Sequence, residues 1–130
     1  MGQETSKQKH ILWIEDEEDQ SGILENTFKD QGYHLVIIPR AEDALIYLQK
    51  TIPDLLLVDI KLPEMDGVEF FKQVKQSDEL KNIPVIFITA FNSLAMAIEA
   101  KKQGAVDYIT KPFDVDFLLD RIEQIFRGQF

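Results

Sequence analysis

Three carboxylates, a hydroxyl and an ammonium follow closely on short apolar runs of this chain. Glu15 and Asp16 come after Ile11 to Ile14, Asp59 after Leu55 to Val58, Thr89 and Ala90 after Val85 to Ile88, and Lys111 and Pro112 after Val106 to Ile109. Taken singly, each has an ordinary reading. Asp16 could be an acid favouring a helix dipole, Thr89 a plain β-former, Lys111 a surface lysine and Asp59 a strand terminator. Together they compose a chemistry. Carboxylates gathered in one place repel, and all-oxygen ligands with room for water suit magnesium. A carboxylate beside such a cation can act as a nucleophile toward phosphorus and form an acyl phosphate. The transferred group spreads its charge over three oxygens. A metal, the Lys111 ammonium and the Thr89 hydroxyl or a nearby amide would give one partner to each.

That chemistry requires the runs to end at a common place. The five runs, with Leu35 to Ile38 as the second, are rich in Ile, Val and Leu. Continuous apolar runs of this length fit strands buried on both faces, as in a parallel sheet. Amphipathic stretches separate them. Ile23, Leu24, Thr27 and Phe28 share a helical face before Gly32, and Ala41, Ala44, Leu45 and Leu48 keep helical spacing. Gly67 to Gln76 has Asp66 placed as a cap. Leu94, Ala97 and Ile98 mark a fourth helix stopping near Gly104, and Leu118, Ile122 and Ile125 a fifth, capped by Asp114. Strand and helix alternate five times, which predicts an α/β, doubly wound, five-stranded parallel sheet with helices on both faces. Such sheets carry their sites at the carboxyl ends of the strands. The opposite ends offer only Lys9, Tyr33, Asp54 and Pro84.

Composition narrows the function classes. The 130 residues suffice for one domain. Lys plus Arg number 14 against 23 Asp plus Glu, a net charge of −9, so phosphate backbones would repel the domain and direct nucleic-acid binding is not expected. No apolar run approaches a membrane span and no signal-peptide core follows the polar start, so a cytoplasmic location without membrane attachment is expected. Without cysteine there is no thiolate site. The six glycines make neither dinucleotide nor P-loop fingerprints. The acidic run from Glu15 to Asp19 fails as a calcium loop, because Ser21 stands where that loop needs glycine. A haloacid-dehalogenase-type phosphatase would need a second aspartate two residues after Asp59, where Lys61 stands.

Four segments carry a family resemblance: Ile11 to Glu17 (Ile-Leu-Trp-Ile-Glu-Asp-Glu), Pro53 to Gly67 (with Val-Asp-Ile-Lys-Leu-Pro at its centre), Ile86 to Ala90, and Gly104 to Phe113. They resemble the receiver domain of bacterial two-component response regulators. The resemblance implies a flavodoxin-like sheet in the order 2-1-3-4-5 over residues 10–127, a tail over 1–9, and an end or linker start at 128–130. It implies Asp59 as phosphoacceptor. Glu15, Asp16, Asp59 and the Lys61 backbone carbonyl would bind Mg2+, and Thr89, Ala90, Lys111 and Tyr108 would form the phosphate-binding switch. It implies a cis bond before Pro112. Lys61 and Phe91, two residues after Asp59 and Thr89, would form the rim and govern the lifetime of the phosphoryl group. Expected partners are a sensor histidine kinase or phosphotransfer protein and an output domain or target on the face of the fourth helix, fifth strand and fifth helix. A phosphorylation-linked homodimer is also compatible with the resemblance. The domain would catalyse only its own phosphotransfer and dephosphorylation.

Overall fold

The computed structural model describes residues 8–17 and 21–128. The rest of the expected tail, residues 1–7, lies outside the described residues, as do Glu18 and Asp19 of the acidic run and the final residues 129–130. Among the described residues ten elements alternate: β1 (Lys9–Ile14), α1 (Ser21–Asp30), β2 (Tyr33–Ile38), α2 (Ala41–Leu48), β3 (Leu55–Val58), α3 (Gly67–Gln76), β4 (Val85–Thr89), α4 (Leu94–Lys102), β5 (Asp107–Thr110) and α5 (Val115–Phe126). All strand pairs are parallel, and the order is β2-β1-β3-β4-β5.

Strand periodicity divides the core in two. Leu12, Ile14, Leu56, Val58, Val85 and Phe87 face one way and pack with Ala41, Ala44, Leu48, Phe70, Phe71 and Val74 of α2 and α3. Their alternates Ile11, Trp13, Leu55, Leu57, Ile86 and Ile88 face the other way, against Phe28 of α1 and Leu118, Ile122 and Ile125 of α5. Fully burying one such side chain is worth about 1.5–3 kcal/mol. A one-residue slip of register would exchange the two sets, so register and layering fix each other. Trp13, large for a central strand, is accommodated between Phe28 and Phe113, with ring centroids at 6.2 and 5.9 Å.

Two boundaries differ from the periodicity. β1 reaches back to Lys9, which pairs with Tyr33, one residue into the expected tail. β5 begins at Asp107 rather than Val106, although the Val106 amide already donates to Val85 O at 2.8 Å, and the Asp107 carboxylate is held by Arg121 at 2.7 Å. α2 starts without a side-chain cap, Arg40 occupying that position. Asp66, Ser93 and Asp114 cap α3, α4 and α5 by accepting from the amides of Glu69, Met96 and Asp116. Among the described residues, no helix is long and apolar enough to cross a membrane.

Candidate functional site at the carboxyl ends of the strands

In a sheet ordered 2-1-3-4-5 the winding direction reverses between β1 and β3, and the loops leaving those strands part to opposite faces. Glu15 and Asp16 leave β1 and Asp59 leaves β3 at that crevice. Each key residue is still pinned by one ladder bond beyond its strand. The Glu15 amide donates to Ile38 O at 3.0 Å, the Asp59 amide to Ile14 O at 3.0 Å, and the Lys111 amide to Thr89 O at 2.8 Å. The side chains are therefore placed by the sheet rather than by mobile loops.

Glu15, Asp16 and Asp59 each offer an oxygen within 4.8 Å of the others. Glu15 and Asp59 are buried and Asp16 is exposed. The Asp59 carboxylate is held on both oxygens. Oδ1 accepts from the Lys61 amide at 3.1 Å and Oδ2 from the Lys111 ammonium at 3.0 Å. Lys111 also donates to Glu15 and, at 3.0 Å, to Glu17. One ammonium thus answers three carboxylates. Burial pushes the Glu15 carboxyl above its ordinary range, against the hydrogen bonds from Lys111 and the Glu17 amide. Burial opposes charge on Lys111 as well, but the bonds to Glu15, Glu17 and Asp59 outweigh it and hold the ammonium above its ordinary range.

Thr89 is fully buried, and its hydroxyl accepts from the Phe91 amide at 3.2 Å. The Phe91 carbonyl in turn accepts from the Tyr108 hydroxyl at 2.6 Å. Burial first, and then the Asp59 charge, raise the Tyr108 phenol above its ordinary value. The Lys61 ammonium lies over the Phe91 ring, 5.6 Å from its centroid, so the two rim residues meet each other. Ala90 is exposed at the end of β4, and the Lys111–Pro112 peptide bond is cis.

Sequence reasoning singled out neither Glu17 nor Gly67 for the site. Glu17 was visible only as part of an acidic run. Gly67 opens α3 directly on the backbone of Asp59: a Cβ there would collide with the Asp59 carbonyl oxygen, and its amide donates to Ile60 O at 2.9 Å. Its signal was the Asp66-Gly67 pair closing the turn after Asp59.

The chain matches the model of the response regulator receiver domain over residues 11–123. It is 38% identical over 114 residues to sporulation initiation phosphotransferase F of Bacillus subtilis (strain 168), covering 88% of this chain and 90% of that one. It is 35% identical over 114 residues to the transcriptional regulatory protein ZraR of Salmonella typhimurium, covering 88% of this chain but 25% of that one. The chain thus spans about a quarter of the length of that longer relative. Among solved structures, the Mn(2+)-bound form of response regulator Rcp1 superposes with a TM-score of 0.76 at 28% identity, over 90% of this chain and 91% of that one. The chain belongs to the response regulator receiver family, whose members work in two-component signalling. Members of the family receive phosphate from histidine kinases or phosphotransfer proteins and bind Mg2+ through acidic residues.

Proposed function

We propose that Asp59 accepts a phosphoryl group from the phosphohistidine of a sensor kinase or phosphotransfer protein, in a magnesium-dependent reaction. The change then reaches an output domain or partner through the face of α4, β5 and α5. The observation that carries this reading is the Asp59 carboxylate, buried at the switch point with one oxygen on the Lys61 amide and the other on Lys111. Its oxygen forms the new bond to phosphorus as the phosphorus–nitrogen bond to the donor imidazole breaks, the electron pair staying on that nitrogen. Lys111 supplies fixed positive charge where the phosphoryl oxygens gather. Thr89 must turn its hydroxyl away from the Phe91 amide to donate to another oxygen, and the Ala90 amide is a further donor.

The acidic donor set suits a hard divalent cation: three carboxylates within 4.8 Å, two of them buried, of which Lys111 meets only Glu15 and Asp59. Glu15, Asp16, Asp59 and the Lys61 carbonyl would hold Mg2+, which would neutralise charge between the carboxylates and the incoming phosphoryl group. The manganese-bound form of Rcp1, a protein of the same fold, supports this choice of site chemistry.

The route outward is supported by the Phe91 peptide, which joins the Thr89 hydroxyl to the Tyr108 hydroxyl. A turn of Thr89 frees the Phe91 amide and loosens the segment before α4. Phosphorylation should alter amide hydrogen exchange chiefly over residues 89–113, and changes confined to residues 21–50 would contradict this route. The phosphoacceptor itself is tested by incubation with acetyl phosphate and magnesium. Intact mass should show one added phosphoryl group on the wild type and none on Asp59→Asn, while Asp16→Ala should lose both labelling and metal binding. Undiminished labelling of Asp59→Asn would overturn the reading.

A further inference from the structure

Between α3 and α4 the buried layer over β4 is reached by a surface cleft. A groove of about 460 Å³ opens there, floored by Ile60, Phe71, Phe87, Met96 and Ala100. Clefts of roughly 300–1,000 Å³ with apolar floors and a few placed polar groups are the usual form of small-molecule sites. Its two lips differ in charge. On the α4 lip Glu99 is already engaged, accepting from the Gln103 amide nitrogen at 2.8 Å. On the α3 lip stand Lys72 and Lys75, one helical turn apart. Neither forms an ion pair among the described residues, although the chain carries a net charge of −9.

Lys75 is the more telling of the two. Its ammonium sits 5.5 Å from the Phe71 ring centroid and donates to the Lys81 carbonyl at 3.0 Å, which uses one of its three donors. Burial pulls it below its ordinary range, with no carboxylate to offset the loss of water. An anionic group on this lip would supply the missing partner.

We propose that the α3–α4 groove binds a small soluble monocarboxylate with an unbranched or aromatic apolar body, the body lying along Val68 and Met96 above the buried Phe71 and Phe87 and the carboxylate meeting Lys72 and Lys75. The aliphatic stems of both lysines extend the apolar wall while their heads face the acid. Lys72 and Lys75 take no part in the carboxylate cluster around Asp59, so binding here succeeds or fails independently of phosphoryl chemistry there. Phe87 also packs against Tyr108, at 6.1 Å between centroids, which sets an occupant two rings from the segment proposed to switch.

The test uses octanoate as probe, below its micelle concentration, on the full chain with amide chemical shifts as readout. Saturable shifts are expected around Phe71, Phe87 and Ala100, with octylammonium at least tenfold weaker. Lys72→Gln/Lys75→Gln should weaken octanoate at least tenfold, and Lys72→Arg/Lys75→Arg should retain affinity within about threefold. Absence of saturable shifts, equal binding of octylammonium, or unchanged affinity in the glutamine variant would overturn the proposal. So would an arginine variant as weak as the glutamine one.

Discussion

Asp107 and Asp59 both stand at strand ends and both meet cations, yet their surroundings have opposite balance. Asp107 opens β5 at its amino end, where Arg121 holds one oxygen at 2.7 Å, Lys101 approaches the other at 3.6 Å and the Tyr108 amide donates at 2.9 Å. One carboxylate has two cations, and although burial opposes its ionisation, these partners hold it below its ordinary range. At the carboxyl ends the ratio is reversed: Glu15, Glu17 and Asp59 share Lys111, with Asp16 alongside. The first cluster is complete as folded and fastens an edge strand to α5. The second carries surplus negative charge in a partly buried crevice, which costs stability and which a bound cation would relieve. Functional sites commonly trade stability in this way.

The largest effect is expected at Asp107. Asp107→Ala should destabilise the fold by about 2 kcal/mol, since it leaves the half-buried Arg121 guanidinium without this carboxylate. Urea unfolding measures it, and a loss below about 0.5 kcal/mol would put Asp107 among ordinary surface acids. Glu15→Gln should act in the opposite sense, leaving the metal-free protein unchanged or more stable by about 1 kcal/mol at neutral pH. Lys111 would keep Asp59 and Glu17 as partners.

The two clusters also respond to pH in opposite ways. Glu15 has a folded pKa raised above its ordinary 4.5, so its contribution to stability is present below that value and lost as pH rises through the folded one. The advantage of Glu15→Gln should therefore fade as pH falls from 7 to below 4.5. Asp107 has a lowered pKa, so its contribution is full above 3.8 and is lost only as pH falls through the lower folded value. Stability curves for the two variants should converge on wild type in that order as acid is added. The reverse order would contradict the assignment of which cluster is in surplus.

A smaller effect is expected at the rim. The Lys61 ammonium over the Phe91 ring forms an apolar and cationic lip rather than one that orients water. Lys61→Asn or Phe91→Glu should speed loss of the phosphoryl group after donor removal by about two- to tenfold, a difference of about 0.4–1.4 kcal/mol in barrier. Unchanged decay in both variants would remove the rim from the account.

Most of this arrangement was legible in the sequence because buried parallel strands announce themselves. Leu55 to Val58 is apolar on both faces, so the strand and the exit of Asp59 from it could be placed together. The layering of helices followed from alternation. What remained unread depended on contacts between distant segments. Asp107, which opens the edge strand β5, is held by Arg121, fourteen residues later, and no local pattern displays that pairing. Glu17 meets Lys111 across ninety-four positions, and its acidic neighbours masked it. The need for glycine at position 67 is likewise a matter of α3 resting on the Asp59 carbonyl, visible only once the loop is folded.

On the proposed reading it is Asp59, among the crowded carboxylates, that takes the phosphoryl group. An acyl phosphate is reduced by borohydride to the alcohol, which converts an aspartyl phosphate into homoserine. Wild-type protein treated with acetyl phosphate and magnesium, reduced, digested and sequenced by mass spectrometry should carry homoserine at position 59 and at no other aspartate. Homoserine at position 16, or none at all from protein that had gained phosphoryl mass, would contradict it.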